Sequence, residues 1–233
     1  MTRALLLLIL SSPLQGQPDR FGMPACLAAR EELATRTAFV LCHSSEHKVA
    51  TWAAHELRPQ YLAAMAVPRL KHFRRDWRVT GSASDSDYRL SGYQRGHVVP
   101  AADVAWSAAA MADSFLLSNA APQLPEINGG SMRRVENAIR KLAVENDAVY
   151  VITGNLFDCA LTHIGPNQVA VPCATYKVVL AVQGASKQMY AAIVPCDQPV
   201  TVRELEQRTG LDFFDALPRA EQELLEPTSR PLM

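Results

Sequence analysis

The stretch NGGSMRRVENAIRKLAVENDAVYVITG, residues 128–154, carries a helical pattern followed at once by a strand pattern. Val135, Ile139 and Leu142 recur at helical spacing, which predicts a helix over residues 131–146 with one buried face. The run AVYVIT that follows is short, apolar and rich in β-branched residues, and it ends at a glycine, as is typical of a buried strand. The stretch therefore predicts a helix packed against a sheet.

Outward from this stretch, strand patterns and helix patterns fall into separate groups along the chain. Segregation of this kind favours an α+β fold, so we predict a central, mostly antiparallel β-sheet flanked by helices. Ser107 is suited to cap one of the helices. The predicted strands are residues 37–42, 50–57, 148–153, 169–182 and 188–194, and the predicted helices are residues 108–117, 131–146, 202–208 and 218–225.

The composition is that of a globular protein with a substantial core. The chain has 233 residues, of which 48% are hydrophobic and 20% charged, and its 23 basic and 23 acidic residues give a net charge of zero. A neutral chain does not fit a protein that coats nucleic acid, but a local basic cleft can still steer an anionic substrate. The stretch PRLKHFRRDWR, residues 68–78, could form such a cleft.

The N-terminus resembles a leader peptide. Arg3 precedes the apolar run 4–10, which is too short to span a bilayer and ends at residues 11–13, with Gly16 as a small residue for cleavage. We predict a signal peptide over residues 1–16 and a single domain over residues 17–233, with no stable membrane anchor in the mature chain. The location is then secreted or periplasmic, with a mitochondrial location as the alternative. The alternative to a leader peptide is a buried N-terminal helix.

Cysteine usage fits export. No C-x-x-C pair is present, and disulfides are the default in an oxidising compartment. Cys159 and Cys173 flank a segment that resembles a hairpin, where facing cysteines could bond. The other pairings stay open, and the odd count leaves at least one cysteine unpaired or bonded to another chain. The cysteines are Cys26, Cys42, Cys159, Cys173 and Cys196.

A group of polar residues between residues 94 and 140 fits phosphodiester hydrolysis. His97, in QRGH (94–97), is suited to act as a general base near neutral pH. Asn128 offers a hard oxygen ligand of the kind that Mg²⁺ accepts together with several waters. Glu136 and Arg140 are four residues apart and share one helix face. Cations are also needed to stabilise the transition state, and Arg75, Arg95 and Arg140 are the candidates.

These motifs resemble those of the DNA/RNA non-specific endonucleases, a family of ββα-metal (His-Me finger) nucleases related to endonuclease G. QRGHVVPAADVAWS, FLLSNAAPQ and INGGSMRRVENAIRKL follow one another in the family's order and at similar spacing. DYRLSGY before them, and VYVITGNLF, VAVPCATYKVVL and RTGLDFFDALP after them, extend the resemblance over residues 37–226.

The resemblance implies a magnesium-dependent endonuclease, with Mn²⁺ as a substitute ion, that cuts DNA and RNA without sequence preference. It also implies a ββα-metal active site and a homodimer. By motif position, His97 matches the general base and Asn128 the direct metal ligand. The other matched positions are Arg95 in the QRGH motif, Asn119 in the SNAAPQ run, Glu136 and Arg140 on the helix, and Arg75 as an upstream transition-state arginine.

The chain departs from the family pattern at two positions. Gln94 stands where the family has Asp, and Gly129 stands where Arg is common. Loss of the Asp charge could change how His97 is oriented. The alternative hypothesis is therefore a nuclease-fold protein that binds nucleic acid and cuts it poorly.

A second motif competes with this interpretation. His43, Glu46 and His47 match the H-x-x-E-H pattern of inverted zinc peptidases. That chemistry needs both histidines on one helix face, together with a distant acidic ligand. Because the motif lies between two predicted strands, we interpret it as a hairpin turn.

Overall fold

The computed structural model describes residues 18–26, 28–195 and 199–232. The predicted signal peptide and Cys196 lie outside these residues. The strands are β1 (Glu31–Thr35), β2 (Phe39–Ser44), β3 (Val49–Leu57), β4 (Gln94–His97), β5 (Ala120–Gln123), β6 (Ala148–Leu156), β7 (Thr162–Ile164), β8 (Val169–Val171), β9 (Ala174–Gln183), β10 (Ser186–Val194) and β11 (Arg230–Pro231). The α-helices are α1 (Pro59–Ala63), α2 (Asp85–Tyr88), α3 (Ala108–Ser114), α4 (Arg133–Glu145), α5 (Val202–Thr209) and α6 (Arg219–Leu225).

A large sheet runs through the described residues in the order β1-β2-β3-β6-β9-β10-β11. Every neighbouring pair is antiparallel except β10 and β11. Two small sheets, β4-β5 and β7-β8, lie apart from it. The predicted α+β class with a mostly antiparallel central sheet is therefore confirmed.

Both faces of the large sheet are buried, as the side-chain alternation along β6 shows. Val149 and Val151 pack with the apolar face of α4, while Tyr150 and Ile152 pack with α5 and with Phe213 and Phe214. Successive side chains of a strand point to opposite faces, so β6 supplies both layers of the core. This explains why its sequence is an almost continuous apolar run rather than an alternating one.

The predicted strand over residues 169–182 is two strands. Residues 169–171 form β8, which pairs with β7 in a separate hairpin, and β9 begins at Ala174 in the large sheet. Pro172 stands between them, and proline lacks the N–H that a continuous ladder needs. An apolar run alone does not reveal this break.

Helix boundaries also differ from the prediction. A π-helical turn over Ile127–Met132 leads into α4, so Asn128 lies within the first helical turn rather than before it. Helix α3 ends at Ser114 instead of residue 117 because the chain continues into a 3₁₀ turn at Leu117–Asn119. Ser107 caps α3, as predicted: its side chain accepts from the Ala110 N–H at 3.3 Å.

Two disulfides join the described cysteines. Cys26 pairs with Cys42 of β2, and Cys159 pairs with Cys173 across the β7-β8 hairpin. The second pair is the one that the sequence indicated. Among the described residues, no helix is long and apolar enough to cross a membrane.

Candidate active site

Strands β4 and β5 and helix α4 form a ββα unit packed near the large sheet. β4 and β5 are antiparallel, with His97 opposite Ala120, and the π-helical turn after β5 leads into α4. This unit places His97 at the end of one strand, Asn128 in the helical turn, and Glu136 and Arg140 on the helix that follows. The motif residues are thus brought into one local unit of structure.

His97 lies in an aromatic pocket. Its ring centroid is 4.7 Å from that of Phe73 and 4.9 Å from that of Phe115, and the residue is 8% exposed. Its Nε2 atom is buried and has no hydrogen-bond partner among the described residues. Burial, followed by the positive charge of Arg69, lowers the pKa of His97 to about 3. The imidazole is therefore neutral at pH 7, which is the form that can accept a proton.

Asn119 forms hydrogen bonds to the backbone close to His97. Its Oδ1 accepts from the Val99 N–H at 2.9 Å, and its Nδ2 donates to the carbonyls of Val99 at 3.0 Å and Ser114 at 2.9 Å. The side chain is fully buried, and both ends of its amide are used in these bonds. Asn119 therefore holds the segment that leaves β4, two residues after His97.

Asn128 is held by the residue at which the chain departs from the family pattern. Its Nδ2 donates to Oε1 of Gln94 at 2.7 Å. The bond identifies which end of the Asn128 amide is occupied and leaves its carbonyl oxygen available to a cation. Gln94 thus orients Asn128, a role that the sequence did not assign to it.

A layer of buried charges lies between α4 and the sheet. Arg140 donates to Oδ1 of Asp103 at 2.6 Å, and His55 Nε2 lies 3.0 Å from the other carboxylate oxygen. Burial opposes ionisation of Asp103, but the hydrogen bond and charge of His55, and then Arg140, lower its pKa. The opposite face of α4 is exposed, so this layer belongs to the interior side of the helix.

Glu136 belongs to the same layer. Its carboxylate lies 3.9 Å from the Arg140 guanidinium, and burial raises its pKa. Lys177 of β9 is fully buried, donates to Thr153 Oγ1 at 2.8 Å and has its own pKa lowered by burial. The charges of Lys177 and Arg140 act on Glu136 in the opposite direction to burial. Lys177 and Asp103 belong to this group, and the sequence analysis identified neither. For Lys177 the reason is that an apolar strand pattern gives no signal for one buried lysine.

Arg95 is held by α2. It donates to the carboxylate and backbone carbonyl of Asp85, and its guanidinium carbon lies 5.0 Å from the Tyr88 ring centroid. Its ion pair with Asp85 is solvent-exposed, and exposed pairs are worth only about 0–1 kcal/mol. A phosphate group could therefore compete with Asp85 for this arginine.

The cation near His97 is Arg69 rather than Arg75. The Arg69 guanidinium carbon lies 5.1 Å from the centroid of Phe115, one of the two rings against His97. Arg75 instead stacks on Trp77 at 4.3 Å. Residues 68–78 contain several arginines, and the spacing of the sequence does not distinguish among them.

The H-x-x-E-H motif forms a hairpin, as interpreted from the sequence. His43 lies in β2 and is fully buried, whereas His47 lies in the turn before β3 and stacks on Phe157 at 4.1 Å. The two histidines do not share a helix face, so the geometry of an inverted zinc peptidase is not present here.

Comparisons with known proteins agree with this arrangement. The sequence profile described as DNA/RNA non-specific endonuclease matches residues 19–220. Mitochondrial endonuclease G of Homo sapiens is 34% identical over 85% of this chain and 73% of its own length. Nuclease C1 of Cunninghamella echinulata var. echinulata is 31% identical over 85% of this chain and 87% of its own. A crystal structure of the EndoG/EndoGI complex superposes with a TM-score of 0.79 at 29% identity, over 86% of this chain and 91% of the other.

Proposed function

Since this chain belongs to the DNA/RNA non-specific endonuclease family, we propose that it hydrolyses DNA and RNA with His97 as the general base and Mg²⁺ held at Asn128. The observation that carries the proposal is a neutral, buried histidine in the same ββα unit as an oriented amide and a partly buried carboxylate. The substrates are proposed to be cut without sequence preference.

His97 supports the proton-transfer step. Its low pKa keeps the ring neutral, and Phe73 and Phe115 fix its orientation. The ring takes a proton from a water molecule while the water oxygen bonds to phosphorus. The bond from phosphorus to the 3′ oxygen breaks in line and that oxygen gains a proton from solvent, so the products carry a 5′-phosphate and a 3′-hydroxyl. Asn119 supports this geometry by fixing the chain just beyond His97.

The residues fit a hard divalent cation. Asn128 would hold Mg²⁺ through its carbonyl oxygen, since its amide nitrogen already donates to Gln94, and Glu136 would face the cation's hydration shell. When bound, the cation would neutralise charge on the phosphate and on the leaving oxygen. Mn²⁺ would occupy the same oxygen ligands.

Arginines supply the remaining positive charge. Arg140 is fixed by Asp103, and Arg69 lies over Phe115 beside His97, so both are pre-positioned for the charge that develops on the phosphate. Arg95, once released from Asp85, and Arg75 at the rim would bind phosphates of the substrate strand.

Digestion of plasmid DNA and of RNA, with Mg²⁺ and with EDTA, tests the proposal. We expect both to be cut only with the metal, and His97→Ala to reduce the rate by at least about 100-fold. His163→Ala, at an exposed position of β7, is the matched control and should cut normally. Metal-dependent cutting that persists in His97→Ala would show that another group is the base. Binding without cutting at any Mg²⁺ or Mn²⁺ concentration would favour the impaired-nuclease alternative.

Export and assembly are further parts of the proposal. Residues 1–16 are proposed to direct secretion or periplasmic export, and residues 17–233 to form one domain. Mitochondrial import is the alternative, since relatives such as human endonuclease G are described as mitochondrial. N-terminal sequencing of the mature protein would locate the cleavage site. The proposed homodimer is tested by sedimentation, in which a monomer mass would contradict it.

A further inference from the structure

Trp77 is exposed in a way that the other tryptophans are not. Its side chain is 80% exposed, whereas Trp52 is 1% exposed and Trp106 packs partly buried on Tyr61 at 5.0 Å. Tryptophan carries a large apolar surface and is normally well buried. An indole this exposed on a basic segment therefore indicates a binding site for a partner molecule.

The segment is rigidly anchored beneath Trp77. Asp76 is buried, bonds to Arg36, accepts from Ser118 Oγ at 2.7 Å, and accepts from the backbone N–H of Arg78 at 3.0 Å. Asp76 is buried, whereas Arg75 and Trp77 on either side of it are exposed. The exposure of Trp77 is thus set by an anchored backbone.

Arg75 and Trp77 form one composite surface, which we call the Trp77 ledge. The Arg75 guanidinium carbon lies 4.3 Å from the indole centroid, and Arg74 beside it is exposed. Arg78 contributes less charge because it pairs with Asp113 at 2.9 Å. The ledge borders an open cleft of about 470 Å³ that reaches Leu116. Arg74 and Arg75 form no ion pair among the described residues, and an aromatic face beside such arginines is complementary to a nucleobase joined to phosphates.

The ledge is tied to the candidate active site. The backbone of Arg74 bonds to Phe115 and Leu117 at 2.9 and 2.8 Å, and Phe73 contacts the His97 ring. Trp77 follows Phe73 by four residues, a span of at most about 14 Å for an extended chain. The Phe73 and His97 ring centroids are a further 4.7 Å apart, so the ledge lies close to the path of a strand bound at His97.

We propose that the Trp77 ledge is a stacking subsite for an unpaired nucleobase of the substrate strand, at a position beside the scissile phosphate that the water activated by His97 attacks. This inference rests on the proposed function. A base inside a duplex has both faces covered by its neighbours, so the ledge acts on single-stranded or frayed segments. It would give the enzyme a preference for unpaired strands without a preference for sequence, since every base offers a π-face.

Equilibrium binding in EDTA tests the ledge separately from catalysis. Fluorescence anisotropy would compare the full chain with Trp77→Ala and Trp77→Phe, each with a labelled single-stranded oligonucleotide, a matched duplex and a single strand made of abasic nucleotides. Leu224→Ala, an exposed apolar residue on α6, is the control. We expect Trp77→Ala to weaken single-strand binding by about 5- to 100-fold, and Trp77→Phe and Leu224→Ala to stay close to the parent.

The substrate comparison decides between stacking and simple charge. For the duplex, the parent and Trp77→Ala should bind with the same affinity. The same should hold for the abasic strand. Equal losses for all three ligands, or no loss for any, would overturn the proposal. Since cleavage is not measured, failure of His97 as the base would leave this result unaffected, and loss of the ledge would leave His97 untouched. Matching melting temperatures would show that the variants are folded.

Discussion

At the scale of single residues, Gln94 holds the amide of Asn128 although it lacks the charge of the Asp in the family pattern. It accepts the Asn128 amide at 2.7 Å, a bond that either a glutamine or an aspartate oxygen could accept. We expect Gln94→Ala to weaken Mn²⁺ binding by about 2- to 10-fold, the worth of one hydrogen bond, and Gln94→Asp to bind at least as well as the parent. Mn²⁺ titration followed by electron paramagnetic resonance, without nucleic acid, measures this directly.

The control for Gln94 is Gln60→Ala, an exposed glutamine on α1. It should leave the Mn²⁺ affinity unchanged. An unchanged affinity in Gln94→Ala would mean that Asn128 either needs no orientation or does not hold the ion.

Two arginines of residues 68–78, Arg69 and Arg75, should affect different kinetic constants. Arg69 lies against Phe115 beside His97, while Arg75 lies on Trp77. We expect Arg69→Ala to lower kcat by about 100-fold or more, as for loss of a transition-state charge contact, and Arg75→Ala to act mainly on KM. Single-turnover and steady-state rates on one oligonucleotide distinguish the two. The reverse pattern would favour Arg75 as the transition-state arginine, as its motif position predicts.

At the scale of secondary-structure elements, glycines on either side of α4 should respond oppositely to a methyl group. A Cβ on Gly129 would meet open space, whereas a Cβ on Gly154 would lie 2.1 Å from the buried ring of Tyr176. We expect Gly129→Ala to stabilise the fold by about 0.5–1 kcal/mol, and Gly154→Ala to destabilise it by about 1–3 kcal/mol. Urea denaturation measures both, and a loss of stability in Gly129→Ala would contradict the first expectation.

The sequence predicts elements well where a pattern is local. The α4 periodicity, the Ser107 cap and the β2-β3 hairpin all follow from neighbouring residues. Prediction fails where an element has little apolar pattern, where one residue interrupts a pattern, or where a contact joins distant parts of the chain. β1 is largely exposed and gives little apolar signal, and one proline divides the predicted strand at residues 169–182. The contacts of Asn128, Arg140 and Lys177 depend on partners far along the chain, so only the folded structure gives them.

At the scale of the whole molecule, buried histidines make stability depend on pH. Burial lowers the pKa of His43 to about 4, from an ordinary value of 6.5. Between these values the unfolded chain binds a proton that the folded chain does not, so stability falls as the pH falls. Glu206 acts in the opposite direction, because burial raises its pKa to about 7. His97, whose pKa burial lowers to about 3, acts in the same direction as His43. The net slope therefore depends on all three groups, and a variant is needed to isolate one.

We expect His43→Leu to remove the His43 part of this dependence. The loss of unfolding free energy between pH 7 and pH 5 should be smaller in the variant by about 1–2 kcal/mol. Urea denaturation at pH 7, 6 and 5 measures the change for each protein, so a constant packing effect of leucine cancels. The same slope in both proteins would show that His43 does not titrate as its burial implies.

The exposure of Trp77 also gives the molecule an optical reporter. Trp52 is enclosed and Trp106 is partly covered by Tyr61, so a water-soluble quencher such as iodide reaches Trp77 first. Its emission should lie to the red of that of the other two, and the adjacent Arg75 should concentrate the anionic quencher there. The fluorescence of the unlabelled protein can therefore follow events at the rim of the cleft in real time, with no dye attached.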